Sequence, residues 1–277
     1  MLTLKEREIK RAVKEGYARI AKQATSDYAS RCCSEDADIP EELSKRMGYT
    51  EEEIQAAPPE SNLGLGCGNP VALASLSEGE IVLDMGSGAG FDCFLASDRV
   101  GPSGKVIGVD ITSEMVEKAR ANSRKGGYAN IDFRQGDLEN MPVADNYVDV
   151  VISNCVINLI PNKRMAFREA FRVLKPGGRL AVSDVVLLKE LPEFVKSSTE
   201  AYIGCLAGAI MKDDYLDIIK SIGFRDVRVV AESRFPVESL ISERSGCSTP
   251  TDPAITPEQQ KKVADSVLSI KICAIKP

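Results

Sequence analysis

The spacing of apolar positions changes several times along the chain. Between residues 3 and 24, Ile9, Val13, Tyr17, Ile20 and Ala24 step by three or four, which predicts an amphipathic helix. From residue 81 onward, short apolar runs of strand length alternate with helical stretches. Strands are predicted near 81–85, 106–110, 131–134, 148–153 and 179–186, and helices near 91–100, 113–125 and 162–174. Ser113 and Asn162 stand where they can cap the second and third of these helices, and Lys175-Pro176-Gly177-Gly178 stops the third. This rhythm predicts an α/β fold, a mostly parallel sheet with helices on both faces. Past residue 187 the rhythm breaks. Helical segments are expected around Ser198–Ala209 and Lys212–Ile222. Strands follow near 226–232 and 266–275, with a helix start at Thr256-Pro257 between them. Two late strands outside the βαβ pattern predict an antiparallel edge.

The segment before the first strand has a different character. Thr50 and Glu53 resemble a capping box, and Pro58-Pro59 ends the short helix that it would start. Asn62-Leu63-Gly64-Leu65-Gly66-Cys67-Gly68-Asn69-Pro70 is rich in glycine and poor in charge, as expected of backbone packed close to a ligand, although an ordinary connection would also read this way. The chain therefore divides into an N-terminal helical and cysteine-bearing segment (1–70), a central α/β domain (71–186) and a C-terminal insertion with closing strands (187–277).

Composition narrows the chemistry. The net charge is -6 and no basic run with interleaved aromatics occurs, which argues against nucleic acid and anionic membranes as partners. No run of about 20 apolar residues is present, and Met1-Leu2-Thr3-Leu4-Lys5-Glu6-Arg7 lacks the apolar core of a signal peptide, so a cytoplasmic protein is expected. There is no histidine, which removes Ser-His and Cys-His nucleophile pairs, imidazole bases and His-ligated metals. There are eight cysteines, and in a reducing compartment such cysteines more often bind metals or take part in catalysis than staple the fold.

Ile81 to Leu83 lead into Asp84 and then Gly86, Gly88 and Gly90, with a helix following. Strand, glycine turn and helix present a ligand site at a strand end. A structural turn would use the same residues, but twenty residues after Gly90 a second strand ends in Asp110, where a carboxylate can accept from both ribose hydroxyls. A third strand is followed by Gly136-Asp137-Leu138, an acid that can accept from an adenine amino group and an apolar side chain for the ring. Three acids at successive strand ends resemble the class I S-adenosylmethionine methyltransferases across about residues 75 to 185. That resemblance implies S-adenosylmethionine as cofactor. The residues implied to bind it are Asp84, Gly86, Ser87, Gly88, Asp110, Ile111 and Met115, with Asp137, Leu138 and Asn154. The fourth strand ends in Ser153-Asn154-Cys155, beside the expected position of the methyl group.

The cysteines sharpen the resemblance. No C-x-x-C pair exists, so a zinc ribbon is disfavoured. Cys93 and Cys273 read as small buried hydrophobes. The loop 62–70, Gly86-Ser87-Gly88-Ala89-Gly90-Phe91-Asp92-Cys93, Asn154-Cys155-Val156-Ile157-Asn158-Leu159 and Gly204-Cys205-Leu206-Ala207-Gly208-Ala209 resemble the arsenite S-adenosylmethionine methyltransferases up to about Leu240. The resemblance implies that Cys67, Cys155 and Cys205 bind trivalent arsenic. It also implies that one of Cys32 and Cys33 joins the redox step, and that arsenite, methylarsenite and an external thiol reductant such as thioredoxin or glutathione are partners. Cys247 lies beyond it. Thiolate-bound arsenic keeps a lone pair and has no proton to lose, which accords with a chain that offers no imidazole base. Two other classes share the scaffold: a methyltransferase of a small quinone-like or sterol-like acceptor, and a thiol-based metal sensor.

Overall fold

The computed structural model describes residues 4–30, 39–235 and 256–277. Cys32, Cys33 and Cys247 lie outside the described residues. Elements follow in the order α1 (Leu4–Ser30), α2 (Ile39–Arg46), α3 (Glu51–Ala56), α4 (Pro70–Ala74), β1 (Ile81–Met85), α5 (Phe91–Val100), β2 (Lys105–Asp110), α6 (Ser113–Gly126), β3 (Ile131–Gln135) and β4 (Val148–Asn154). Then come α7 (Lys163–Val173), β5 (Leu174–Leu187), α8 (Glu193–Lys196), α9 (Thr199–Ile203), α10 (Lys212–Ile222), β6 (Arg225–Arg234), α11 (Pro257–Ala264) and β7 (Val267–Ile275). Among the described residues no helix is long and apolar enough to cross a membrane.

Seven strands form one sheet in the order β3-β2-β1-β4-β5-β7-β6. The first five in that order pair in parallel, and β7 runs antiparallel between β5 and β6, as the strand pattern predicts. Strand periodicity divides the core. Leu83, Met85 and Val151 pack on one face with Phe167 of α7 and Tyr215 of α10, while Val82, Ile152 and Ala181 pack on the other with α4 and α5. Near-continuous apolar strands with both faces covered are what a parallel sheet requires. Because β1, β2 and β4 run in parallel, their carboxyl ends lie at one edge of the sheet.

Several local expectations need correction. Thr112, not Ser113, is the N-cap of α6, and the Ser113 hydroxyl donates to Glu114 instead. Asn162 does cap α7, its side chain accepting from the Met165 N–H. Lys175-Pro176-Gly177-Gly178 does not lie between helix and strand. The helix passes directly into β5, and these residues form a bulge, with pairing to β4 jumping from Val148–Leu174 to Val150–Arg179. Gly177, with φ +80°, takes up that irregularity. The helix expected over Ser198–Ala209 is only Thr199–Ile203, capped by Ser198. Beyond it the chain turns, with Cys205 at φ +64°.

Candidate active site

The ends of β1, β2 and β4, the 62–69 loop and the turn after α9 open onto a single cleft of about 1130 Å³. Its floor is the glycine turn. Gly88 sits at φ +52°, and a side-chain carbon built there would meet nothing within 4 Å, so backbone conformation and an open face, not crowding, set this position. The Gly88 N–H donates to Asp110 Oδ2 at 2.9 Å and the Thr112 N–H to Asp110 Oδ1 at 2.8 Å. The carboxylate that ends β2 therefore shapes the turn that follows β1. Beside it, the Ser87 hydroxyl is buried with no protein partner among the described residues.

Asp84 is buried at the end of β1 and accepts from the Cys93 thiol at 3.2 Å. Cys93 is thus more than filler, since it steadies the first acid. Asp92, on the first turn of α5, is also buried and accepts from the Tyr49 hydroxyl at 2.6 Å. Burial and mutual repulsion hold Asp84 well above the usual carboxylate range, and burial raises Asp92 as well. Among the described residues neither forms an ion pair. Asn154, at the end of β4, donates to the Tyr49 hydroxyl, Gly68 O and Asp92 Oδ2, and its carbonyl accepts from the Cys67 N–H at 2.9 Å. Its amide is therefore engaged in fastening the Cys67 loop to the sheet.

Three thiols from three distant segments meet at the other end of the cleft. Cys67 donates to Ser183 O at 3.3 Å, and its carbonyl is held by Ser269 of β7. Cys205 donates to Cys155 O at 2.8 Å. The Cys155 thiol interacts electrostatically with both Cys67 and Cys205. Cys155 (φ +56°) and Cys205 (φ +64°) both hold left-handed backbone, strain of the kind that gathers at functional sites. Burial pushes the Cys67 thiol up to about 11. For Cys155 the interaction with Cys205 lowers the pKa, but Cys67 and burial outweigh it. Cys205 is raised by its interaction with Cys155 and by burial. All three are protonated thiols at neutral pH.

Asp184, in β5, was not anticipated. Its carboxylate lies with the Cys67 and Cys155 sulfurs in a group whose ligand atoms are all within 4.8 Å of one another. It accepts from Asn158 Nδ2 (2.9 Å), the Val185 N–H (2.8 Å) and the Tyr215 hydroxyl (3.0 Å). An acid within the apolar run Leu180–Leu187 was the available signal. Tyr49 and Asp92 were also missed, although Asp92 directly follows the glycine turn.

Of the residues assigned to the cofactor from sequence, Asp84, Gly86, Ser87, Gly88, Asp110, Ile111, Asp137, Leu138 and Asn154 line the cleft. Met115 does not. It is fully buried against Ala21 and Ala89, because its helix turns this face to the core. Asp137 lines the cleft but is already paired: Lys10 of α1 lies 2.6 Å from its Oδ2 and 2.9 Å from Glu139. The same helix reaches the thiols, where the Tyr17 hydroxyl bonds Cys205 and Ile203 O.

Comparison with known proteins agrees with this geometry. Residues 76–223 match a methyltransferase domain family. An arsenite methyltransferase of Halobacterium salinarum is 48% identical over 72% of this chain and 50% of its own length. One from Aquipseudomonas alcaligenes is 35% identical over 85% of this chain and 68% of its own. The chain thus spans half the length of the first relative and about two thirds of the second. The crystal structure of an arsenic(III) S-adenosylmethionine methyltransferase from Chlamydomonas reinhardtii superposes with a TM-score of 0.62 at 32% identity, covering 83% of this chain and 72% of that one.

Proposed function

The chain belongs to the arsenite methyltransferase family, and from that premise we propose that it transfers methyl groups from S-adenosylmethionine to trivalent arsenic held by Cys67, Cys155 and Cys205. The observation that carries this reading is the meeting of three buried thiols in the same cleft as the glycine turn. The residues present fit the cofactor. Asp110 suits a ribose, the Ser87 hydroxyl awaits a partner, and two buried carboxylates, Asp84 and Asp92, suit a ligand with a positively charged end. S-adenosylmethionine, when bound, supplies an electrophilic methyl carbon on a sulfonium sulfur.

The raised thiol pKa values are compatible with arsenite loading. Each protonated thiol replaces one hydroxide of arsenous acid, and its proton leaves in the water released. Three As–S bonds form, three As–O bonds break, and no net proton is taken up. No thiolate is needed in the free protein, since arsenite takes up the thiols in their protonated form. Arsenic bound by Cys67, Cys155 and Cys205 would keep its lone pair, and the cofactor would supply a methyl carbon to it, the carbon–sulfur bond breaking with its electrons left on sulfur and no proton moving. The chain's task is to position the pair and exclude water. Asn154 serves it by tying the Cys67 loop to the strand end, and the left-handed turns at Cys155 and Cys205 serve it by aiming two thiols inward.

Methyl transfer uses the lone pair and leaves arsenic pentavalent, so two electrons must be returned before the next transfer. A dithiol protein such as thioredoxin, or two molecules of glutathione, with Cys32 or Cys33 as relay, fits that need in a reducing cytoplasm, two thiols giving up two electrons as one disulfide forms. The test is incubation with labelled S-adenosylmethionine, a dithiol and arsenite, followed by separation of arsenic species. Methylated arsenic is the expected product. Its absence from a folded protein that binds the cofactor would reject the reading. A methylated arsenical has only two valences left for sulfur, so Cys67→Ser should abolish turnover of arsenite and spare methylarsenite. Equal loss on both substrates would contradict this division.

A further inference from the structure

Arsenic(III) accepts three sulfur ligands, but the cluster offers a fourth donor. Asp184 is fully buried, and its carboxylate stands in the same group as the Cys67 and Cys155 sulfurs, all within 4.8 Å. Cys205 stands outside that group but interacts with the Cys155 thiol, from where it can supply a fourth donor. Three sulfurs and one oxygen exceed what arsenic needs and match what a tetrahedral divalent ion takes. Zinc with metal–sulfur bonds of about 2.3 Å spaces its donors roughly 3.7 Å apart, so Cys67, Cys155 and Asp184 have to close by only about 1 Å, and Cys205 swings in from outside that group. The larger cadmium ion requires less closure.

We infer that Cys67, Cys155, Cys205 and Asp184 form a binding site for a soft divalent cation, zinc or cadmium, that excludes arsenite from the cleft. The carboxylate is oriented in the way metal-binding carboxylates usually are, by hydrogen bonds from behind: Asn158, Tyr215 and the Val185 N–H fix it. Binding places excess negative charge in the core. Lys163, buried and in electrostatic contact with Asp184 and Cys205, supplies a compensating cation. Each thiol gives its proton to solvent as it coordinates, so unlike arsenite the cation displaces protons, and its affinity rises with pH. Competition with arsenite rests on the functional reading above, whereas the donor set does not.

The test is an anaerobic titration of the reduced full chain with cadmium or zinc alone, read for cadmium by its thiolate charge-transfer absorption. A Cys32→Ser, Cys33→Ser background removes the vicinal pair. One tight equivalent is expected, lost in Cys155→Ser. In Asp184→Asn the cadmium affinity should fall about tenfold or more, with arsenite affinity changed much less. Cadmium magnetic resonance on the chain with Asp184 intact reads the donors directly, even where the Asp184 variant fails to fold. Three sulfurs with one oxygen supports the site, and a sulfur-only shell overturns it. Binding that survives Cys155→Ser also overturns it. Cadmium bound as described in a chain that still takes up arsenite with unchanged affinity supports the cation site and counts against arsenite at these thiols.

Discussion

Asp110 shows how one carboxylate can serve both architecture and binding. It accepts from the Gly88 and Thr112 N–H groups, and it faces the cleft where a ribose would lie. Replacing it with alanine removes a charged acceptor worth about 1.5–3 kcal/mol per hydrogen bond and loosens the glycine turn. Cofactor affinity in Asp110→Ala should fall at least about tenfold by calorimetry, with arsenite binding retained. Asp184 makes a different prediction. Burial pushes it up to about 6 from 3.8, against the hydrogen bonds of Val185 and Tyr215 and the charge of Lys163. The thiols of Cys67, Cys155 and Cys205 face it as well. A carboxyl whose folded pKa is raised contributes stability that is complete below the unfolded value and is lost as pH rises through the folded one. The stability of the free protein relative to Asp184→Asn should therefore drop by about 3 kcal/mol between pH ~4 and ~6 and stay level above. Urea unfolding across that range measures it, and a rise in the same window would contradict the assignment.

At the scale of elements, the turn after α9 matters more than the helix. Cys205 sits in it, and the turn rests on the 156–160 segment through Gly208. A side-chain carbon at Gly208 would lie 2.0 Å from the Asn158 carbonyl oxygen, a backbone atom that cannot swing aside. Asn158 in turn orients Asp184 and accepts from Lys163. Gly208→Ala should cost roughly 1–3 kcal/mol through overpacking and move Cys205 away from Cys155. A lowered melting temperature together with weakened arsenite binding is the expected pair of results. Stability loss with arsenite affinity intact would show that the turn tolerates the shift without moving the thiol.

Across the whole molecule, α1 joins the two ends of the cleft. Lys10 pairs with Asp137 and Glu139 near the cofactor end, and Tyr17 bonds Cys205 and Ile203 at the thiol end. A helix fixed at both points should communicate occupancy between them. Cofactor affinity is expected to change about fivefold or more on arsenite binding, the scale of a coupling near 1 kcal/mol. Lys10→Met, which keeps the apolar stem and removes the ion pairs, should reduce that coupling and speed cofactor association in stopped-flow measurements. Unchanged rates and undiminished coupling would mean that α1 does not link the two ends of the cleft.

The sheet was legible in the sequence because strand and helix periodicities are local, and because an acid or a glycine at a strand end stands out against an apolar run. Asp84, Asp110 and the glycine turn could be placed on that basis, and the motifs around Cys67, Cys155 and Cys205 pointed to one chemistry. What remained hidden was non-local. That Lys10 occupies Asp137, that Asn154 holds the Cys67 loop, and that Met115 turns into the core depend on how α1, the 62–69 loop and α6 pack. Asp184 looked like one acid in a strand until the parallel pairing of β4 and β5, with Asn154 opposite Ser183, put its carboxylate beside Cys155. Sequence supplied the donor types. Burial, which raised the thiols and brought a carboxylate among them, arose only when segments far apart in the chain came together.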